Sequence, residues 1–306
     1  MRIGVTGGTG FIGAGLCRKL TETGHDLVLF GRDRDRVMAV CPSAEFVGWN
    51  ASSGVAKNFT VTGLDVLVHL AGEPIAGGRW TSKRKKMISE SRIRGTRDLV
   101  EMFSHCGDPP KVVISSSAIG FYGNRGGDAL DESSAPGNGF LSDLCVRWEG
   151  EASRFEELGS RLVLLRTGVV LSPREGALAK MLLPFKLGLG GKLADGSQFM
   201  SWIHHDDQLS LIDFAMREES LEGPLNATAP LPVTNAEFAR KLGQVLNRPV
   251  WLSVPHFVLR LALGEMAKAL LLEGQRVLPR KATKAGFKFR YGELSDALTD
   301  LFPRNR

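Results

Sequence analysis

The sequence is poor in cysteine and has no cysteine pair at metal-binding spacing. Cys17, Cys41, Cys106 and Cys145 lie far apart along 306 residues, and none forms a C-x-x-C pair. Structural zinc sites and the disulfide frameworks of small secreted domains need clustered cysteines. We therefore expect no metal site and no disulfide framework. Isolated thiols of this kind are typical of a reducing cytoplasm, where we expect this protein to be located.

Long hydrophobic runs are also absent. The apolar residues before Gly7 are too few for a signal peptide. The most hydrophobic later run, residues 257–272, is interrupted by Arg260, Glu265 and Lys268 and is too short and too charged to span a bilayer. We therefore expect no membrane partner.

Basic charge is in excess but is not concentrated. The formal net charge is +6 and the pI is about 9.2. Basic clusters such as residues 83–86 are short, and aromatic residues do not alternate with them. A nucleic-acid-binding surface would need a basic patch or stripe. We expect no nucleic-acid partner, because solvated helix faces and a phosphate-bearing cofactor account for the charge.

Three glycines close to the start of the chain form the clearest motif. Gly7, Gly10 and Gly13 follow a short apolar run, residues 3–5, and open a segment with helical spacing of apolar residues. In a strand–turn–helix unit that binds a dinucleotide, glycines allow the tight turn, the close approach of the pyrophosphate and the packing of helix on strand. The pyrophosphate then lies on free N–H groups at the helix N-terminus. The motif predicts nucleotide binding.

The end of the second predicted strand indicates which dinucleotide is bound. The buried run 26–30 is followed by Gly31 and Arg32. At this position an acidic residue selects the 2′-hydroxyl of NAD, whereas an arginine accommodates the 2′-phosphate of NADP. Arg32 therefore favours NADP, while the adjacent Asp33 leaves NAD as the less favoured alternative.

Strands and helices alternate up to residue 171, as expected of right-handed βαβ units. A buried strand at 65–70 ends in Leu70 and is followed by Ala71 and Gly72. Small residues at such a strand end let backbone pass close to a flat ring or ribose. His69 in this strand is interpreted as a core residue. The pattern predicts an α/β fold: a doubly wound parallel Rossmann-type sheet over residues 1–171, with a smaller, mostly helical substrate lobe over residues 172–306. The two are expected to be interleaved in one compact unit.

These motifs resemble the extended short-chain dehydrogenase/reductase superfamily, in its nucleotide-sugar epimerase and dehydratase group. The markers are Gly7 to Gly13, Leu70 to Gly72, Gly95-Thr96, Ser115 to Gly123, Arg166 to Gly168 and Ile203 to Asp207. More narrowly, the chain is similar to an atypical subgroup of the NAD(P)-dependent epimerase/dehydratase family that is sometimes labelled cell-division inhibitor. The segments typical of that subgroup are Gly78 to Trp80, Leu183 to Gly191, Ser201 to His204 and Leu272 to Gln275.

The resemblance implies a cofactor site and a homodimer. It places Gly7, Thr9, Gly10, Phe11 and Ile12 at the phosphates, Arg32 at the 2′-phosphate, and Leu70, Ala71 and Gly72 along the adenine-side ribose, with Arg92 reaching in from the long helix. Members of the superfamily often dimerise through helices around residues 85–105 and 141–157, so a homodimer is expected here by analogy.

The catalytic pair of the superfamily, Tyr-x-x-x-Lys, is missing. The two tyrosines are Tyr122 and Tyr291, and neither begins this motif. Alignment on Glu149 places Leu141 and Cys145 at the tyrosine and lysine positions, and leucine cannot transfer a proton. Ser117, in the superfamily's serine position, and Tyr122 remain as catalytic candidates.

We therefore predict an NADP(H)-binding protein resembling epimerases and oxidoreductases, with an unknown small-molecule substrate. The alternative is a catalytically silent NADP(H)-binding redox sensor or regulator.

Overall fold

The structure is a computed structural model that describes residues 1–51, 54–55 and 61–303. Its strands are β1 (Arg2–Thr6), β2 (Asp26–Gly31), β3 (Glu45–Asn50), β4 (Gly54–Val55), β5 (Val66–His69), β6 (Val112–Ala118), β7 (Ala129–Leu130), β8 (Arg161–Thr167), β9 (Val169–Leu171), β10 (Gly191–Leu193), β11 (Phe199–Met200), β12 (Trp202–His204), β13 (Gly223–Ala227), β14 (Val233–Thr234), β15 (Leu252–Val254) and β16 (Arg276–Val277).

The α-helices are α1 (Phe11–Glu22), α2 (Arg34–Val40), α3 (Ser82–Cys106), α4 (Phe140–Ala152), α5 (Arg154–Glu157), α6 (Gly176–Lys186), α7 (His205–Arg217), α8 (Asn235–Leu246), α9 (His256–Leu263), α10 (Glu265–Ala267), α11 (Arg280–Lys284) and α12 (Leu294–Leu301). A 3₁₀ turn covers Ile119–Tyr122, and a π-helical turn covers Lys268–Leu272. No helix in the described ranges is long and apolar enough to cross a membrane.

The central sheet has the order β13-β8-β6-β5-β1-β2-β3-β4. Seven neighbouring strands run parallel, and only the short edge strand β4 is antiparallel to its neighbour β3. The strand order reverses at β1, which pairs with β2 on one side and with β5 on the other. Open α/β sheets bind ligands at such a switch point, outside the carboxyl ends of the strands. The predicted Rossmann-type fold is confirmed.

Helices cover both faces of the sheet, as a parallel sheet requires. On one face, Leu16 of α1 and Leu211 of α7 join a buried cluster with the strands. On the other face, Leu99 of α3 and Phe155 of α5 do the same. Between these two layers of helices, the carboxyl ends of β1, β5 and β6 lie at one end of the sheet, where the glycine turn also lies.

The chain after residue 171 contributes both to the sheet and to a separate lobe. β13 pairs in parallel with β8 and forms one edge of the main sheet. A third buried cluster, which includes Trp202, Phe238 and Leu298, holds together the lobe that contains α6, α8 and α12. A Cβ atom on Gly176, at the start of α6, would lie 3.1 Å from the ring of Phe11, so the lobe stands at the same end of the sheet as the glycine turn.

Candidate dinucleotide site and the buried polar network beside it

The glycine turn between β1 and α1 has the geometry that its three glycines predict. Gly7 has a φ of 69°, and the N–H of Gly10 donates to the carbonyl of Gly7 at 2.9 Å. A Cβ atom on Gly13 would lie 2.1 Å from that same carbonyl oxygen. Helix α1 therefore packs directly on the turn, and no side chain fits at Gly13.

The N-terminus of α1 is open to an anion. Gly10 is its N-cap and supplies no side-chain hydrogen bond, and the first turn contains no acidic residue. The N–H groups of a first helical turn carry partial positive charge and attract phosphate. The ring of Phe11 stacks on His205 of α7 with centroids 5.3 Å apart. Thr9 is exposed on the turn.

The end of β5 lies against the glycine turn. The Thr6 hydroxyl accepts hydrogen bonds from the N–H groups of Leu70 and Ala71, each at 3.2 Å. A Cβ atom on Gly7 would stand 2.9 Å from the Ala71 nitrogen. The predicted segment Leu70 to Gly72 therefore forms the second wall of the crevice at the switch point.

His69 is a structural residue beneath this crevice. Its two ring nitrogens lie 2.7 Å from the Thr6 hydroxyl and 2.9 Å from the Thr96 hydroxyl. The indole N–H of Trp148 donates to the same Thr96 hydroxyl at 3.0 Å. Burial lowers the pKa of His69 to about 3, so the ring is neutral at physiological pH. The ring thus connects β1 and β5 to α3, as expected of a core histidine.

Arg32 lies free at the end of β2. It is exposed, and its guanidinium forms no ion pair or hydrogen bond within the described part of the chain. The neighbouring Asp33 is the N-cap of α2, and its carboxylate accepts the N–H of Arg36 at 3.2 Å. Asp33, the acidic residue that kept NAD as an alternative cofactor, therefore caps a helix. The guanidinium of Arg32 stays available for a 2′-phosphate.

Arg92 reaches the end of β5 from α3 and is buried. Its Nη1 donates to the carbonyls of Glu73 and Ile88 at 3.0 and 3.2 Å, and its guanidinium lies 5.2 Å from the Trp148 ring centroid. A Cβ atom on Gly72 would stand 3.0 Å from the guanidinium carbon, so Gly72 lets the Arg92 side chain pack closely against the backbone. Burial lowers the pKa of Arg92 to about 10, which leaves it charged at neutral pH. Its Nε is buried without a partner among the described residues.

The two catalytic candidates belong to one buried polar network. The Ser117 hydroxyl donates to Oε1 of Glu149 at 2.5 Å. Arg166 holds both carboxylate oxygens of Glu149, with Nε at 2.9 Å and Nη2 at 2.8 Å, and its Nη1 donates to the Tyr122 hydroxyl at 3.1 Å. Tyr122 in turn donates to Oδ1 of Asn226 at 2.7 Å. Ser117 and Tyr122 are therefore connected through an ion pair, and neither is a free hydroxyl.

The positions of the missing tyrosine and lysine lie beside this network on α4. The Cys145 thiol donates to the carbonyl of Ala118 at 3.7 Å. Burial, followed by the nearby Glu149 carboxylate, raises the pKa of Cys145 to about 11, so the group is a neutral thiol at pH 7. Leu141 lies against Gly120, where a Cβ atom would be 3.1 Å from that of Leu141. Neither side chain can replace the lost acid–base pair.

The ion pair between Glu149 and Arg166 was not predicted as part of the site. Two signals in the chain point to it. Glu149 follows Cys145 by four residues and so lies on the same helix face. Arg166 is the last residue but one of β8 and lies directly beside Ser117 in the parallel register with β6. A charged residue at the carboxyl end of a buried strand needs a partner, and the facing helix supplies one.

A doubly wound parallel sheet with a glycine turn at its switch point defines a dinucleotide-binding fold of the extended short-chain dehydrogenase/reductase type. The chain belongs to the NAD dependent epimerase/dehydratase family, whose profile matches residues 3–226. A second profile, a domain of unknown function called DUF1731, matches residues 254–301.

Similar proteins and solved structures agree with this assignment. The epimerase family protein YfhF of Bacillus subtilis is 40% identical over 302 residues, which is 98% of each chain. The crystal structure of the human epimerase family protein SDR39U1 with NADPH has a TM-score of 0.87 and 34% identity and covers 100% of both chains. Its NADPH is the cofactor that the present sequence predicts. A Thermus thermophilus UDP-glucose 4-epimerase complexed with NAD has a TM-score of 0.76 at 19% identity over 100% of both chains, which shows a shared fold.

Proposed function

We propose that this protein is an NADP(H)-dependent oxidoreductase or epimerase-like enzyme that acts on a small-molecule substrate. The observation that carries the proposal is the cradle of the glycine turn, in which a Cβ atom at Gly13 would meet the Gly7 carbonyl at 2.1 Å. The NADPH in the human relative supports the same cofactor here. When bound, NADPH supplies a hydride.

The residues present fit this cofactor. The open N–H groups of α1, at Phe11 and Ile12, would hold the pyrophosphate beside Gly7 and Gly10. Exposed Arg32 would pair with the 2′-phosphate. Leu70, Ala71 and Gly72 would lie along the ribose, with the buried charge of Arg92 behind them.

Arg32→Ala is expected to weaken NADPH binding about tenfold or more and to leave NADH binding within about twofold. A charge-assisted hydrogen bond contributes roughly 1.5–3 kcal/mol, and only NADPH carries the 2′-phosphate. Calorimetric titration of both cofactors measures the change. Arg18→Ala on the exposed face of α1 is the matched control and should change neither affinity. Equal losses for NADPH and NADH in the Arg32 variant would remove Arg32 from the 2′-phosphate site.

We propose that Ser117 is the catalytic hydroxyl and that Tyr122 supports it through Arg166 and Glu149. The carboxylate of Glu149 accepts the Ser117 hydrogen bond and is itself fixed by two bonds from Arg166. Tyr122 accepts from Arg166 and donates to Asn226, which fixes the position of the guanidinium. This arrangement orients the Ser117 oxygen and gives it an acceptor for its proton.

A second candidate function is a catalytically silent NADP(H)-binding redox sensor. It is favoured by the same network, because both candidate hydroxyls already have protein partners and α4 carries Leu141 and Cys145 in place of the acid–base pair. A binding partner captured only with one redox form of the cofactor would support the sensor. Turnover of NADPH with a carbonyl substrate that is lost in Ser117→Ala or Tyr122→Phe, with NADPH affinity retained, would support the enzyme.

We further infer a homodimer in the cytoplasm. Apolar Met87 of α3 and Val146 of α4 are exposed, on the two helices through which the superfamily often dimerises. Sedimentation velocity would test this inference, and a monomer mass at micromolar concentration would contradict it.

A further inference from the structure

A large exposed apolar surface lies on the C-terminal lobe, outside the cofactor crevice. Leu261 of α9 and Trp251 are each 79% exposed, and Leu183 of α6 is 67% exposed. Helix α9 is rich in apolar residues, yet none of its residues is buried. We call this the α6–α9 surface; its exposed apolar members are Leu183, Leu187, Leu189, Trp251, Leu252, Phe257, Val258 and Leu261. Contiguous apolar patches on soluble proteins commonly mark binding sites.

Helices α6 and α9 are held side by side at both ends, by strand pairing at one end and by contacts with a common segment at the other. At one end, β10 pairs with β15, which leads directly into α9, and Nε of Arg248 donates to the carbonyl of Lys186 at 2.8 Å. At the other end, both helices meet the segment 73–80. Lys180 of α6 donates to the carbonyl of Ala76 at 3.1 Å, and a Cβ atom on Gly264 would lie 3.5 Å from the guanidinium of Arg79. The two helices therefore border one shared surface above this segment.

A buried apolar cluster connects the α6–α9 surface with the candidate site. Leu263 at the end of α9 and Met266 of α10 pack in one cluster with Trp80, Phe140 and Leu141. Leu141 occupies the position of the superfamily's catalytic tyrosine, four residues before Cys145. One packed apolar cluster therefore joins the end of α9, the helix that carries exposed Phe257 and Leu261, to Leu141 beside the polar network.

The two segments that carry this surface contain basic but no acidic residues, and Glu175, Asp195 and Glu265 flank them directly. Residues 176–194 and 247–264 contain Lys180, Lys186, Lys192, Arg248 and Arg260 and no aspartate or glutamate. Lys186 and Arg260 are exposed and form no ion pair within the described ranges. An anionic group held beside the apolar side chains would find free cationic partners.

We propose that the α6–α9 surface binds the substrate and that the substrate is an anionic amphiphile, a molecule with an extended apolar portion and a carboxylate or phosphate. The inference rests on the proposed function, because it assigns the ligand of this surface as the substrate of the reaction at the adjacent site. The apolar portion lies between α6 and α9, and the anionic group pairs with Lys186 or Arg260. Each methylene removed from water adds to the binding free energy, which favours long chains.

Calorimetric titration of the NADPH-saturated protein with decanoate, below its micelle-forming concentration, tests the proposal. We expect decanoate to bind, and Leu261→Glu to weaken that binding at least about tenfold, about 1.4 kcal/mol, because the new carboxylate repels the ligand and removes apolar contact. Leu231→Glu is the matched control, since Leu231 is 50% exposed and lies outside the surface. It should change decanoate affinity by less than about twofold. Arg260→Gln should weaken decanoate binding more than binding of uncharged 1-decanol.

Several results would overturn the proposal. These are absence of decanoate binding at millimolar concentration, equal effects of the Leu261 and Leu231 variants, or an equal effect of Arg260→Gln on decanoate and decanol. Binding to phosphatidylglycerol vesicles without binding of monomeric decanoate would instead identify the surface as a membrane contact, which also overturns it. NADPH affinity is measured separately in each variant, so loss of cofactor binding with decanoate binding retained would count against the proposed function alone.

Discussion

Replacing Gly13 with alanine is expected to weaken NADPH binding about 100-fold or more, roughly 2.8 kcal/mol. The added Cβ atom would lie 2.1 Å from the carbonyl oxygen of Gly7 and 2.9 Å from the Cα of Gly8. Real Cβ atoms do not approach backbone this closely, so the turn and the start of α1 must move apart. That movement displaces the N–H groups at Phe11 and Ile12 that would hold the pyrophosphate. Fluorescence or calorimetric titration with NADPH measures the loss.

A second glycine within a helix supplies the control for this substitution. Gly150 of α4 has no atom within 4 Å of the position that a Cβ would take. Gly150→Ala should therefore leave NADPH affinity unchanged and slightly stabilise the helix. Thermal unfolding of the apo proteins separates a local effect from loss of the fold. Overpacking at Gly13 should lower the free energy of unfolding by about 1–3 kcal/mol, which a stable domain survives. Unchanged NADPH affinity in a folded Gly13→Ala protein would show that the turn does not bind the cofactor.

Arg166→Met is expected to lower the free energy of unfolding by about 3–5 kcal/mol. The guanidinium makes two hydrogen bonds to Glu149, and both side chains are less than 10% exposed. Removal of one partner leaves a buried charge without compensation, which is the costly case for a buried ion pair. Equilibrium denaturation in urea measures the change.

Two further variants test why Arg166→Met lowers the free energy of unfolding. The double variant Glu149→Gln with Arg166→Met should be more stable than Arg166→Met alone, because it removes the uncompensated charge. Lys86→Met breaks a surface pair with Glu90, at 3.7 Å on α3, and should cost less than about 0.5 kcal/mol. If Arg166→Met costs no more than Lys86→Met, the ion pair does not hold the network together.

The sequence predicted the fold around the glycine turn and the identity of the cofactor, because local rules determine both. The spacing of Gly7, Gly10 and Gly13 between a strand and a helix allows few other backbone conformations. The alternation of strands and helices up to residue 171 then fixes a parallel sheet with the turn at its switch point. NADP was predicted from Arg32 in the same way, by its place at the end of β2.

The polar network and the exposed apolar surface depend on contacts between distant parts of the chain. The pairing of Glu149 with Arg166 joins α4 to β8, and the partner of Tyr122 is Asn226, 104 residues away. Tyr122 could be named as a candidate, but its burial in this network could not be derived from local spacing. The solvent exposure of α9 could not be predicted either, because its apolar run has the composition of a core helix. The prediction that Ser117 and Tyr122 are catalytic stays a prediction.

A titration of the wild-type protein with NADPH and with NADH tests the central claim most directly. The free guanidinium of Arg32 and the use of Asp33 as a helix cap predict that NADPH binds at least about tenfold more tightly, a difference of about 1.4 kcal/mol. Equal affinities, tighter binding of NADH, or no binding of either cofactor would contradict the account.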